Sequence, residues 1–138
     1  MVSGPAYRQD NMIPLLLVFL GGGIGSISRY LLGVAAFRAL GPGWPSGTFA
    51  ANVLGGFAMG FLASWLAHRG GADQERWRLL IGVGFMGGFT TFSSFSLETV
   101  LMIQRRDYGM AAAYIAASVA LSVGALFLGL LAARRIFA

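Results

Sequence analysis

The chain alternates long apolar runs with short polar segments. Its four apolar runs predict helices at about 12–37, 46–67, 79–103 and 109–133. Each is long enough to cross a bilayer, because about 20 helical residues span the roughly 30 Å of hydrocarbon. The connections, GPGWP, HRGGADQERWR and RRDY, carry helix breakers and charges. The pattern predicts an all-α membrane protein, with residues 1–138 forming a single transmembrane domain of four helices.

Composition agrees with the bilayer as the main solvent. Hydrophobic residues make up 57% of the chain and charged residues 11%, whereas soluble domains have about 25% charged residues. All ten basic residues are arginines, and most of them flank the apolar runs instead of sharing one face, so we expect no nucleic-acid partner. One histidine, no cysteine and no carboxylate pair leave little catalytic chemistry, so we predict that the protein is not an enzyme.

The arginines give only a weak preference for orientation. Four spans place both termini and the 68–78 loop on one side, which collects Arg8, Arg69, Arg76, Arg78, Arg134 and Arg135. The other side holds Arg38, Arg105 and Arg106. Arginine bias favours termini inside the cell. The bias is modest, so insertion in both orientations stays open.

The third apolar run contains an unusual polar interruption. Residues 87–99 read GGFTTFSSFSLET, in which glycines relax the backbone and hydroxyls compete for its carbonyls. We predict a helix break near residues 87–91. Carbonyls and amides freed at membrane depth must be buried in protein or line water. Such carbonyls suit a hard cation and such amides suit an anion, so the break marks a candidate site.

Polar and aromatic residues in three runs could face this break. Phe92 and Phe95 share a helix face if the helix resumes there, and phenyl ring edges attract an anion without a full charge. Ordinary core packing is the competing interpretation. Further hydrogen-bond donors come from the second and fourth runs, namely Asn52, Tyr114, Ser118 and Ser122. Interhelical hydrogen bonding is the alternative for the serines.

Small residues and buried charges complete the pattern. Small-xxx-small spacings, which allow close helix packing in lipid, occur at Gly21/Gly25, Gly56/Gly60 and Gly84/Gly88. Arg29 and Glu98 fall within apolar runs, where a charge needs a wet cavity or a partner. Arg29 either snorkels to an interface or serves a pore. We interpret Glu98 as an interhelical hydrogen-bonding residue, since no second acid completes a proton relay.

Three motifs carry a family resemblance. GGGIGSISRYLLG at 21–33, WPSGTFAANVLGGF at 44–57 and GFMGGFTTFSSFSLETV at 84–100 resemble the Fluc (CrcB) fluoride channel family over nearly the whole chain after residue 10. The resemblance implies an antiparallel, dual-topology homodimer in the inner cell membrane. It also implies two parallel fluoride pores and a third helix broken at the midplane.

The resemblance also assigns roles to individual positions. It implies that backbone carbonyls of Gly87 and Thr90 from both subunits hold a structural Na⁺ ion, and that Arg29 lies near a vestibule. The fluoride pore residues that it implies are Asn52, Phe92, Phe95, Tyr114, Ser118 and Ser122.

Two other classes compete with the channel. A small four-helix, proton-coupled multidrug exporter of dual topology is similar in size. Proteins that resemble this class need an acidic residue in the first helix, where this chain has Arg29 and no acid. A membrane assembly subunit with no transport role is the other alternative, and for it the glycine faces that allow close helix packing would be sufficient. The concentration of hydroxyls and phenylalanines at 87–99 favours the channel.

Overall fold

The structure is a computed structural model that describes residues 12–138. Within this range the protein is helical, without strands, and has helices long and apolar enough to cross a membrane: Met12–Leu40, Ser46–Arg69, Gly71–Gln104 and Tyr108–Phe137. We call them the first to fourth spans. The four-helix prediction is confirmed for this part of the chain. Arg8, which entered the orientation argument, lies outside the described residues.

The helices extend beyond the apolar runs and end at local breakers. The first span continues to Leu40 instead of residue 37. Gly41 then adopts φ +74°, a left-handed conformation that glycine reaches without a Cβ penalty. Pro45 precedes the second span and lacks a backbone N–H, which suits a helix start. The last two spans are joined by a short turn in which Arg106 has φ +60°.

The third span is interrupted where the sequence predicts. Its first half includes a π-helical segment, Arg78–Met86, followed by the α-helical turn Gly87–Phe89. Thr90 and Thr91 are extended, with φ/ψ of −86°/156° and −152°/118°. A new helix, Phe92–Gln104, then begins. The break is confirmed at the end of the predicted interval, whereas Gly87 itself remains helical.

Glycines bring the second and fourth spans into backbone contact. A Cβ on Gly56 would lie 2.6 Å from the Ser122 carbonyl oxygen. A Cβ on Gly60 or Gly129 would overlap the carbonyl of Leu126 or Phe57, respectively. Because any side chain would force the backbones apart, these glycines fix the distance between the two helices.

A second glycine contact joins the first span to the first half of the third. A Cβ on Gly21 would lie 2.9 Å from the Phe85 amide nitrogen, and one on Gly84 would lie 3.0 Å from the Gly21 Cα. The predicted small-residue packing is therefore present on both helix pairs. It places the break of the third span between the first and second spans.

One buried apolar cluster joins the helix after the break to the fourth span. Tyr114 is fully buried, and it clusters with Met102 and Ala111. Most large apolar side chains of the first span are instead exposed, including Phe19 at 75%. Such a surface is stable against lipid or another protein but not against water. This exposed apolar surface is typical of a membrane protein.

Candidate functional site

The break is held by an amide side chain from the second span. Asn52 Nδ2 donates to the Thr91 carbonyl oxygen at 3.0 Å, and Asn52 Oδ1 accepts from the Thr91 amide at 2.8 Å. Both backbone groups of Thr91 are therefore paired although the helix is interrupted. Burial of an unpaired peptide group is costly, so this contact makes the extended segment tolerable inside the bundle.

The threonines close the two helix ends. The Thr90 hydroxyl donates a hydrogen bond to the Met86 carbonyl oxygen at 2.8 Å, and the Thr90 amide donates to the same oxygen at 2.9 Å. The hydroxyl of Thr91 accepts from the Ser94 amide at 3.2 Å, which makes Thr91 the N-cap of the new helix. These local bonds explain why Thr, Thr and Ser stand here in sequence.

The break takes several carbonyl oxygens out of the helical ladder, among them those of Gly87 and Thr90. The amide that would bond the Gly87 carbonyl belongs to Thr91, and it donates to Asn52 instead. The amide that would bond the Thr90 carbonyl belongs to Ser94, and it donates to the Thr91 hydroxyl. Neutral carbonyl oxygens are suitable ligands for a hard monovalent cation. The donor set at Gly87 and Thr90 thus fits Na⁺ chemically.

A cleft of about 350 Å³ lies beside the break, between the second, third and fourth spans. Most of the predicted pore residues line it together with the threonines of the break: Asn52, Thr90, Thr91, Phe92, Phe95, Ser118 and Ser122. These residues are up to 70 positions apart in sequence. The structure therefore brings five of the six predicted pore residues to one place.

Two hydroxyls in this cleft have no hydrogen-bond partner among the described residues. They belong to Ser118 and Ser122, whose Oγ atoms are buried. A buried serine or threonine in a helix normally donates its hydroxyl hydrogen to the backbone carbonyl one turn earlier. Thr99 does so to the Phe95 carbonyl at 2.8 Å. An unpaired buried hydroxyl is unfavourable. Both are available to donate to an acceptor that enters the cleft.

The two phenylalanines border the cleft on the helix after the break. Their ring centroids lie 5.6 Å apart with planes inclined at 45°. Phe95 is half-buried and packs on Tyr114, with centroids 5.2 Å apart. Phe92 is 79% exposed, so its ring stands at the open side of the cleft. Both ring contacts are tilted, and rings that border a cleft can attract an anion through their positive edges.

Tyr114, the sixth predicted pore residue, does not line this cleft. Its hydroxyl donates to Glu98 Oε2 at 2.6 Å, and Thr48 donates to Glu98 Oε1 at 2.7 Å. Glu98 therefore connects the second, third and fourth spans, which confirms its interpretation as an interhelical hydrogen-bonding residue. Sequence reasoning missed Thr48. Its spacing of four from Asn52, which puts both on one helix face, is the signal that could have found it.

Arg29 also lies outside this cleft, on the other side of the break. Its Nε donates to the Gly88 carbonyl at 3.0 Å. It lines a second cleft of about 620 Å³ together with Arg38, Tyr30 and Thr48. The guanidinium is therefore directed at the third span and does not snorkel to the end of its own helix. Sequence spacing gave no indication of the contact with Gly88.

A family model and individual relatives place the chain in the same family. A family model described as "CrcB-like protein, Camphor Resistance (CrcB)" matches residues 16–130. A protein of Phenylobacterium zucineum named "Fluoride-specific ion channel FluC" is 69% identical over 127 residues, which cover 92% of this chain and 100% of the relative. Relatives with the same name from Caulobacter vibrioides and Agrobacterium fabrum are 65% and 47% identical and are covered over their full length, across 92% and 91% of this chain. These names describe ion channels, in agreement with the prediction that the chain is not an enzyme.

Proposed function

Because the chain belongs to the CrcB family, we propose that it conducts fluoride passively and selectively across the membrane. The observation that carries the proposal is the pair of unpartnered buried hydroxyls, Ser118 and Ser122, in a cleft also lined by Asn52 and the two phenylalanines. The names of its relatives supply the ion.

The chemistry of the cleft suits fluoride. Fluoride is small and accepts hydrogen bonds strongly, so a path of donors must replace its water. Ser118 and Ser122 offer O–H groups, and Asn52 has a second N–H beyond the one that it donates to Thr91. The residues that line the cleft include no charged side chain. A path with donors but without fixed charge would bind the anion weakly enough for it to leave.

The proposal extends to an antiparallel homodimer with two pores. The cleft is open, Phe92 is 79% exposed, and one chain offers the Gly87 and Thr90 carbonyls to a cation. A second copy would cover the cleft, and its own two carbonyls would complete a Na⁺ site. The weak arginine bias would allow both orientations in one inner cell membrane. Arg29 and its cleft would form the vestibule through which the anion enters.

The proposal is tested by ion efflux from liposomes that contain the purified chain. Fluoride and chloride electrodes would record both ions under the same potassium gradient. We expect fast loss of fluoride with chloride retained. Retention of fluoride by liposomes with correctly folded protein would reject the channel and return attention to the exporter or assembly interpretations.

Substitution of the phenylalanines tests the path itself. We expect Phe92→Ile or Phe95→Ile to abolish fluoride efflux or reduce it sharply, because isoleucine keeps bulk but has no positive ring edge. Phe127→Ile is the matched control, since Phe127 is exposed on the fourth span and does not line the cleft. Normal efflux in either cleft variant would contradict an essential role for the rings.

Orientation needs a separate test. A tag at the C-terminus should react with impermeant reagents from both sides of intact membrane vesicles if the two orientations coexist. Labelling from one side alone would reject the antiparallel dimer, but it would leave fluoride conduction to be judged by efflux.

A further inference from the structure

Arg29 holds the last helical turn before the break. Its Nε–H lies 3.0 Å from the Gly88 carbonyl oxygen. In a continuous helix this oxygen would bond the amide of Phe92, but Phe92 begins the next helix beyond the interruption. A cationic donor at a helix C-terminus is favourable, because it pairs an orphan carbonyl and complements the helix dipole.

The contact between Arg29 and Gly88 lies where the backbones of the first and third spans pack closely. A Cβ on Gly88 would lie 2.9 Å from the Ser26 hydroxyl oxygen and 3.0 Å from the Ser26 amide nitrogen. One turn earlier on the first span, a Cβ on Gly25 would lie 3.0 Å from the Phe89 amide. Because the two backbones touch about one turn before Arg29 on the first span, the guanidinium approaches a carbonyl whose position is already restricted.

The Gly88 peptide, which Arg29 contacts, lies between the Gly87 and Thr90 carbonyls. Gly87 immediately precedes Gly88, and Thr90 follows it by two residues. On the other side, Asn52 fixes the backbone of Thr91. The segment that presents the free carbonyls is thus fixed at one end by the first span and at the other by the second. A change in ψ of Gly88 would alter the direction of the Thr90 carbonyl relative to the Gly87 carbonyl.

We propose that Arg29 is a positioning residue for the cation site: by holding the Gly88 carbonyl, it orients the free carbonyl oxygens of Gly87 and Thr90 toward a bound Na⁺. This inference rests on the proposed function, because it requires that these carbonyls bind the ion. It gives Arg29 a role other than the attraction of anions into the second cleft.

The direction in which Na⁺ affinity changes when Arg29 is replaced separates positioning from simple electrostatic repulsion. A positive charge near a cation site repels the ion, so its removal alone would strengthen Na⁺ binding. Loss of the carbonyl orientation would weaken Na⁺ binding. Arg38 lines the same cleft as Arg29, but the Gly88 carbonyl accepts from Arg29. Arg38→Gln is therefore a control that removes a charge from that cleft and leaves the break unchanged.

The experiment measures thermal unfolding of the purified full-length chain while Na⁺ replaces N-methyl-D-glucamine at constant ionic strength. An ion that binds only the folded state raises the unfolding midpoint with its concentration. We expect Arg29→Gln to require about tenfold more Na⁺ for the same rise, the size expected from loss of a hydrogen bond to a charged group. We expect Arg38→Gln to need no more Na⁺ than the wild type, because it removes a repelling charge and leaves the Gly88 contact in place.

Each other outcome overturns the inference. An unchanged or lower Na⁺ requirement in Arg29→Gln would reject positioning, and normal fluoride efflux by the wild type would then leave the proposed channel standing. A wild type that does not respond to Na⁺ would reject the cation site and the inference together. Should Arg29→Gln fail to fold, Arg29→Lys serves instead, because it keeps the charge but lacks the planar guanidinium donor. A wild-type Na⁺ requirement in Arg29→Lys would equally reject the claim.

Discussion

Replacement of Asn52 by alanine is the most direct test of how the break is stabilised. The side-chain amide makes both hydrogen bonds to the Thr91 backbone, at 3.0 and 2.8 Å. Alanine preserves the helix of the second span, because it has the highest helix propensity. The substitution therefore removes the two bonds without disturbing the helix that supplies them, and it leaves the Thr91 N–H and C=O unpaired.

The expected loss of stability follows from these two groups. Interhelical hydrogen bonds in membrane proteins average about 0.6 kcal/mol each, and a buried group left unpaired costs about 1–3 kcal/mol. Thr91 is only 9% exposed, so water has little access to it. Two such bonds are worth about 1 kcal/mol and two fully unpaired groups cost up to about 6 kcal/mol. We therefore expect a loss of about 1–6 kcal/mol, or a fall of about 4–24 °C in the unfolding midpoint for a domain of this size.

The assay is thermal unfolding of the purified protein in one detergent, followed by circular dichroism. Ser64→Ala is the control on the same span, since the Ser64 hydroxyl is buried without a partner among the described residues, and its removal should change stability by less than about 0.5 kcal/mol. If Asn52→Ala melts with the wild type, the amide does not stabilise the break and our account of the interruption is wrong.

Three further substitutions probe other parts of the structure. Gly60→Ala would place a Cβ against a backbone carbonyl of the fourth span, and we expect it to cost about 1–3 kcal/mol by overpacking, measured as a lower unfolding midpoint. Ser118→Ala removes a buried hydroxyl that has no protein partner among the described residues. We expect unchanged stability but fluoride efflux slower on the order of tenfold, since one donor to the anion is lost. Tyr114→Phe removes the donor to Glu98 but keeps the ring, so we expect about 1–2 kcal/mol of destabilisation in the same melting assay.

Each of these expectations has a clear contradiction. Gly124→Ala is the control for Gly60→Ala, because a Cβ at Gly124 would meet no described heavy atom within 4 Å beyond its chain neighbours and its own helix backbone. Equal effects at both glycines would reject close backbone packing as the cause. Wild-type efflux in Ser118→Ala would remove its hydroxyl from the ion path. A Tyr114→Phe variant as stable as the wild type would show that the bond to Glu98 contributes little.

Much of the architecture was already determined by the sequence. Apolar run lengths gave the four helices, because the bilayer sets a minimum length that soluble helices rarely meet. The glycine spacings predicted which helix faces approach closely, as Gly60 and Gly84 show. The hydroxyls of residues 90–96 predicted the interruption, because such side chains cap helices and compete for backbone bonds. These are local properties, and local chemistry can be read along a chain.

Tertiary structure decided which side chains hold the break. Asn52 reads as a free donor in the sequence, yet its amide is bonded to both groups of Thr91. Arg29 reads as a vestibule or interface residue, yet it holds the Gly88 carbonyl. Tyr114 shares a helical stripe with Ser118 and Ser122, but it points to Glu98 and not into their cleft. The physical reason is that these partners are 16 to 59 residues apart, and only helix packing decides which carbonyl or carboxylate lies within 3 Å of a donor.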